Sequence, residues 1–375
     1  MERKLVTVKT IDCIVPIEGA DRVETVVVGG WNVVVPKNLY KAGEDIVFFE
    51  IDSMIPKQDG FEYLFTGDYK DKDVLHVKTQ KLRGVLSQGV IAKLDMLKSK
   101  TDVIEHERDY SELFGVVKYE SPVALNSNGT RKEFPDFIPK TDEIRYQTFI
   151  ADNKDVELNP EEWVATEKID GTSCTVYCKD GKIGICSRNQ EILEPAEGTS
   201  DSYWDVVGKT KIGDISVMEW LKNKTAELGA SYVALQGEYF GEGIQKNPVQ
   251  IKGQAICFFN LIVAGEYITP NELAEKYPEL SEVWVPIHDV RLGSTAEEII
   301  NQPNGVATRV NDSGAQIEGF VWRHKSKAML IANRKEPDWS TIPEDKIELV
   351  KASLSRPFRG SFKVISNNDL LSKGE

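Results

Sequence analysis

The sequence predicts an α+β chain of two domains: a small N-terminal β-barrel, then a larger domain in which strands alternate with a few helices. Three observations predict this. At 375 residues the chain is too long for one ordinary domain and suits two. Residues 1 to about 95 carry only strand-length apolar runs separated by turn residues, whereas beyond 140 such runs alternate with capped helical segments. Between them lies a charged, turn-rich stretch with no periodicity.

In the first part, "RVETVVVGGWNVVVP", "DIVFFEIDSMIP", "VLHVKTQ" and "GVLSQGVIAKL" are divided by Gly-Gly, Ala-Gly-Glu-Asp and Pro-Lys turns. About five short strands with one glycine-rich corner fit an OB-fold, with a β-sandwich as the alternative. This domain is assigned residues 1–115. "SPVALNSNGTRKEFPDFIPK" marks a linker, 116–139, and the second domain takes 140–375.

In the second part, Asp180-Gly181 between two apolar runs reads as a hairpin turn. Thr269-Pro270-Asn271-Glu272 and Ser294-Thr295-Ala296-Glu297 read as capping boxes, each opening a helix. Further helices are expected in "SVMEWLKNKTAEL" and "PEDKIELVKASL", and strands at 231–240, 255–263 and 315–323. No internal repeat, GxGxxG or GxxxxGK[ST] occurs, so neither a Rossmann nor a P-loop nucleotide site is supported.

"MERKLVTVKT" has no apolar signal core, and the longest apolar run, "AICFFNLIVA", is about half a membrane span. A soluble, cytoplasmic protein with no membrane partner is expected. Five cysteines without CxxC and four scattered histidines read as buried free thiols in a reducing compartment rather than a zinc site. The net charge of −14 argues mildly against nucleic acid, but from Arg323 to Lys363 basic residues outnumber acidic ones. That stretch is a basic surface or merely a solvated face.

One segment resists a purely structural reading. "WVATEKIDGTSCTVYCKDGK" reads as strand, yet Lys168 is followed two places on by Asp170. A lone Lys-x-Asp-Gly is weak evidence. The segments downstream of it add weight. "CSRNQE" presents Arg188, and "LQGEYFG" places Gln236, Glu238 and Phe240 on one strand face. "AICFFNL" puts Phe258 and Phe259 on opposite faces, "IEGFVWR" opens with Glu318, and "SFKVISN" contains Lys363.

This ordered set resembles the covalent nucleotidyltransferase superfamily of ATP-dependent ligases and capping enzymes. Within it, the chain is most similar to RNA ligases with an N-terminal OB domain, of the Deinococcus and Naegleria type. "EKIDG", "SRN", "GEYFG", "FFN", "EGFVWR" and "FKVISN" look like the family's successive motifs, and "KLRGVLSQGV" and "FIPKTDEIRYQ" like subfamily signatures. The resemblance implies a nucleotidyltransferase domain of antiparallel sheets and flanking helices, with the barrel binding nucleic acid. It also implies a three-step reaction. Lys168 takes AMP from ATP, the AMP passes to a 5′-phosphate, and a 3′-hydroxyl then seals the strand. The expected partner is RNA with 3′-OH and 5′-phosphate ends, as a nicked duplex, bound by a monomer.

The residue types suit this chemistry. A lysine attacks phosphorus only when neutral, so its pKa is expected to be lowered by burial or a nearby cation. Asp170, Glu238 and Glu318 would hold that cation, Mg²⁺ or Mn²⁺. Gly171 would allow a tight turn beside phosphate. Arg188 and Lys363 would hold phosphate charge, Phe259 would stack on the purine, and Glu167 and Arg145 would complete the nucleotide site. Trp31, Phe48, Phe49, Lys37, Lys41, Lys78, Lys81 and Arg83 supply the residue types of a nucleic-acid surface on the barrel.

Two positions bear on substrate. Ser173 stands where many DNA ligases carry arginine, which favours RNA. Ser361 stands where the last motif usually has its first lysine, so one phosphate interaction is either missing or supplied by Arg356 or Arg359. The rival readings are a DNA ligase, a GTP-using capping guanylyltransferase, and a non-catalytic RNA-binding protein on a degenerate ligase scaffold.

Overall fold

The computed structural model describes residues 3–106, 108–119, 130–153, 156–326, 347 and 360–373. The chain forms two compact units, Met1–Pro122 with Asn367–Glu375, and Val123–Ser366. The C-terminal helix Asn367–Lys373, which the sequence reading left in the second domain, thus groups with the first.

The first unit is a β-barrel of short antiparallel strands. Strand Asp45–Phe49 pairs with Val6–Thr10 on one side and Val90–Lys93 on the other. It is buried on both faces: Val47 and Phe49 enter one apolar cluster, Ile46 and Phe48 another. Gly29 (φ 54) and Gly30 (φ 79) form the two-residue turn of the hairpin Val23–Val28/Trp31–Pro36. Among the described residues, ten strands form before residue 95 where about five were expected, because turns and kinks cut each apolar run. Gly89 is one such kink (φ 114), and a Cβ there would lie 2.7 Å from the Phe48 ring. Trp31, Phe48 and Phe49 are core residues, so they supply no nucleic-acid surface; Lys37, Lys41, Lys78, Lys81 and Arg83 are exposed.

The second unit is built on two antiparallel sheets. The four-stranded one runs in the order Ile287–His288, Trp163–Lys168 (the lysine strand), Gly319–His324, Ser361–Ile365. The seven-stranded one centres on Thr172–Lys179, Tyr232–Gly241 (the glutamate strand) and Gln254–Val263 (the aromatic strand). The lysine strand ends in one sheet, and four residues later the chain enters the other. Helices Ser202–Lys209 and Val217–Leu228 cover the outer face of the larger sheet over its main apolar cluster.

Local signals act as read at several points. Asp180 (φ 51) and Gly181 (φ 74) turn the Thr172–Lys179/Lys182–Cys186 hairpin. The helix expected in "SVMEWLKNKTAEL" forms over Val217–Leu228 with Ser216 as its cap rather than its first residue, and Thr269 forms its capping box with Glu272. The second box is Thr295–Glu298, one residue later than read, and the strand expected at 315–323 forms over Gly319–His324. All five cysteines are free, but Cys13 is exposed rather than buried. The "PEDKIELVKASL" helix apart from Ile347, and Arg356 and Arg359, lie outside the described residues. No helix among the described residues is long and apolar enough to cross a membrane.

Candidate active site

Lys168 ends the lysine strand in register with Gly319. Its Nζ donates to Glu318 Oε2 at 2.6 Å. Burial alone pushes this ammonium's pKa down, but Glu318, Glu238 and Asp170 outweigh it and hold the group above its ordinary value. The sequence reading expected the opposite. Three carboxylates facing one ammonium are the reason, and they keep the lysine charged until something offsets them.

Ile169 to Gly171 carry the chain from one sheet to the other. Ile169 is buried against Phe240. A Cβ on Gly171 would lie 2.5 Å from the Tyr239 carbonyl oxygen and 2.9 Å from Phe240 Cβ. Glycine is therefore required for close packing of the two strands, not for the tight turn expected from sequence. That approach brings the Gly171 N–H toward the Glu238 carboxylate, which favours its charged form. Glu238 lies in register with Ser173 and Cys257. Burial pushes its pKa up to about 7, with Lys168 opposing and Glu318 and Asp170 adding to the rise.

Among the described residues no three carboxylate, histidine or cysteine side chains make a ready-formed metal centre. Asp170, Glu238 and Glu318 meet through their shared effect on Lys168 instead. The donor set nevertheless suits a hard divalent cation: three carboxylates against one ammonium leave negative charge in excess, and all the donors are oxygen.

Lys363 joins this group from the Ser361–Ile365 strand. Burial pushes its pKa down to about 8, Lys168 and Arg145 push the same way, and Asp142 and Glu318 oppose. Arg145 is its backbone bridge partner and stands at the start of helix Tyr146–Asp152. Arg188 is exposed, with Nη2 3.4 Å from Asp142 Oδ1.

The segment 138–145, within the subfamily signature that sequence singled out, meets the motif strands one after another. Gln236 Nε2 donates to the Pro139 carbonyl at 2.6 Å, and the Thr141 and Ser173 hydroxyls are 2.6 Å apart. Asp142 faces Arg188, Glu143 accepts from Ser361 Oγ at 2.8 Å, and Ile144 accepts the Lys363 N–H at 2.8 Å. Thr141, Asp142 and Glu143 were missed. Most of the partners lie far away in sequence, and two of the bonds use carbonyls, which leave no residue signature.

Phe258 and Phe259 are separated by a bulge: Gly237 pairs with Phe258 and Gln236 with Asn260, so Phe259 is the extra residue. Phe258 is wholly buried in the main cluster, while Phe259 is half-buried and lies under the Arg323 guanidinium, 5.6 Å from its ring. Arg323 Nη1 also donates to Asn260 Oδ1 at 2.9 Å, and Asn260 Nδ2 donates to Gln236 Oε1 at 2.9 Å.

Glu167 departs from its expected nucleotide role. It neighbours Lys168 on the strand, so its side chain takes the opposite face, where it is buried. Its carboxylate accepts from Thr308 Oγ1 and from the Arg309 N–H at 2.9 Å, and lies 2.9 Å from His288 Nε2. Its oxygens are engaged by protein donors, so it anchors the lysine strand. His288, Thr308 and Arg309 were also missed.

Two family models match the chain: an OB-fold domain over residues 5–94 and RNA ligase over residues 161–337. No curated protein matches. Among solved structures, a Naegleria gruberi RNA ligase mutant with AMP and Mn is 30% identical, with 100% of each chain covered and a TM-score of 0.73. The Naegleria gruberi RNA ligase with pyrophosphate is 31% identical over 99% of each chain, TM-score 0.72. A mutant of that enzyme with ATP and Mn is 30% identical over 99% of this chain and 100% of the other, TM-score 0.73.

Proposed function

The chain belongs to the RNA ligase family, and we propose that it seals RNA at a duplex nick, joining a 3′-hydroxyl to a 5′-phosphate with ATP and a divalent cation, Mg²⁺ or Mn²⁺. The observation that carries this reading is Lys168 among Glu318, Glu238 and Asp170, with Lys363 close enough to share their field. The ATP, AMP, pyrophosphate and Mn of the Naegleria enzyme structures support the same nucleotide and metal here.

In the first step Lys168 Nζ, having lost its proton, attacks the α-phosphorus of ATP; the N–P bond forms and the bond to pyrophosphate breaks. A 5′-phosphate oxygen of RNA then displaces the lysine, giving an adenylylated end. Finally the 3′-hydroxyl oxygen attacks the 5′-phosphorus and AMP leaves. Bound at Asp170, Glu238 and Glu318, a divalent cation would offset the carboxylates that keep Lys168 protonated and screen the phosphates. Lys363, Arg145 and Arg188 hold phosphate charge, and Phe259 stacks on adenine. Ser173 hydrogen-bonds within the chain, to Thr141, and brings no cation to that position, which supports RNA over DNA. The five free thiols support a reducing, cytoplasmic setting.

The test uses ATP labelled at the α-phosphate, with Mg²⁺, on the parent and on Lys168→Ala, followed by a denaturing gel. Label on the parent alone supports the covalent intermediate. No label with either ATP or GTP refutes it, and label from GTP alone shifts the reading to a capping enzyme.

A further inference from the structure

The first unit carries a cleft that the chemistry above does not use. It lies between the helical turns Glu62–Leu64 and Gly67–Tyr69 and the strands Val74–His76 and Thr79–Leu82, and holds about 260 Å³. Leu75 and Val77 give it an apolar floor. Tyr63, on its rim, is 55% exposed, an unusual position for so large a ring. The Tyr69 hydroxyl donates to the His76 carbonyl at 3.3 Å, and the His76 ring stacks on Tyr119 with centroids 3.9 Å apart.

His76 is the telling residue. Its ring is fixed by Tyr119, yet its Nε2 is buried and has no hydrogen-bond partner among the described residues. Native proteins rarely leave such an atom unpaired, and each case needs an explanation. Burial and the charge of Lys78 push the His76 pKa down, so the ring stays neutral and can offer one nitrogen to a ligand's edge. Lys78 is exposed at the same cleft.

Aromatic faces, one unsatisfied polar atom, an adjacent cation and a volume below the ~300–1,000 Å³ of drug-sized sites together describe a planar, singly held group beside a phosphate. We infer that this cleft takes one unpaired nucleobase of the RNA, stacked on Tyr63 and hydrogen-bonded through its edge to His76, with Lys78 on the neighbouring phosphate. The inference rests on the RNA-ligase reading for its partner.

The test uses the full chain and three RNA probes: a fully paired nicked duplex, the same duplex with a short single-stranded extension, and that extension made abasic. Affinities are read by fluorescence anisotropy, and lysine labelling from ATP is measured alongside. The parent is expected to prefer the intact extension over the abasic one. Tyr63→Ala and His76→Gln should erase roughly 5- to 150-fold of that preference, the weight of one stacked base. Both should leave the fully paired duplex and the lysyl label unchanged. Equal binding of intact and abasic extensions by the parent, or an unchanged preference in Tyr63→Ala, overturns the inference. Loss of the lysyl label in the parent would instead sink the ligase reading, with the base preference still measurable.

Discussion

Replacing Lys363 by methionine should make the protein more stable and less active. Methionine keeps an unbranched side chain only one heavy atom shorter and removes a charge that burial and the neighbouring Lys168 and Arg145 disfavour. The fall from 10.5 to about 8 corresponds to about 3 kcal/mol at roughly 1.4 kcal/mol per tenfold change. Lys363 is only half-buried, so solvent screening reduces the gain to about 1–2 kcal/mol. At roughly 2–4 °C per kcal/mol for a unit of this size, the melting temperature should rise by about 2–8 °C. The pH dependence fixes the sign. Between pH 8 and 10.5 the unfolded chain binds this proton more tightly than the folded one, so the parent gains stability as pH rises through that window. The variant lacks this group, so its advantage is full below pH 8 and fades to nothing by about pH 10.5. Thermal melts at pH 7 and pH 10, with lysine labelling from ATP, are the assay. A variant that melts below the parent at pH 7, or keeps its whole advantage at pH 10, refutes the electrostatic argument.

Two further outcomes separate the roles of neighbouring residues. Phe259→Ala should raise the KM for ATP in lysine labelling by roughly 5- to 100-fold through loss of stacking, at little cost in stability, whereas Phe258→Ala should cost about 3–5 kcal/mol in urea unfolding; equal effects would mean the bulge does not divide their roles. Glu167→Ala should cost about 3–5 kcal/mol by leaving His288 and Thr308 without their buried partner. An unchanged unfolding midpoint with a raised KM for ATP would return Glu167 to the nucleotide.

The parts of the fold legible in the sequence are those set by neighbours in the chain. The Asp180-Gly181 turn and the Thr269–Glu272 box each depend on residues a few places apart, and each forms. The period-two pattern of Trp31–Pro36, in which Trp31, Val33 and Val35 are buried, was legible too, yet Trp31 was assigned to a nucleic-acid surface against it. The number of barrel strands was not legible, because kinks such as Gly89 depend on a ring from another strand. The bulge at Phe259 also escaped, since a bulge belongs to a pair of strands and not to either sequence.

The candidate site divides in the same way. The structure gathers Lys168, Asp170, Glu238, Glu318 and Lys363, which the sequence singled out for their chemistry, but the way they offset one another was not legible. Ser361 shows why. The motif argued for a missing cation and looked along the chain, to Arg356 and Arg359, for its replacement. The structure pairs Ser361 across the sheet with Arg323. Ser361 donates to Glu143, and Arg323 Nη1 lies 3.6 Å from the same carboxylate while its guanidinium covers Phe259. A positive charge therefore stands one strand over, beside Glu143 and Asn260, at a place defined by hydrogen-bond register rather than by spacing; Arg356 and Arg359 lie outside the described residues. Residues 38 apart become neighbours only once the sheet has formed, so no linear motif could show this pairing.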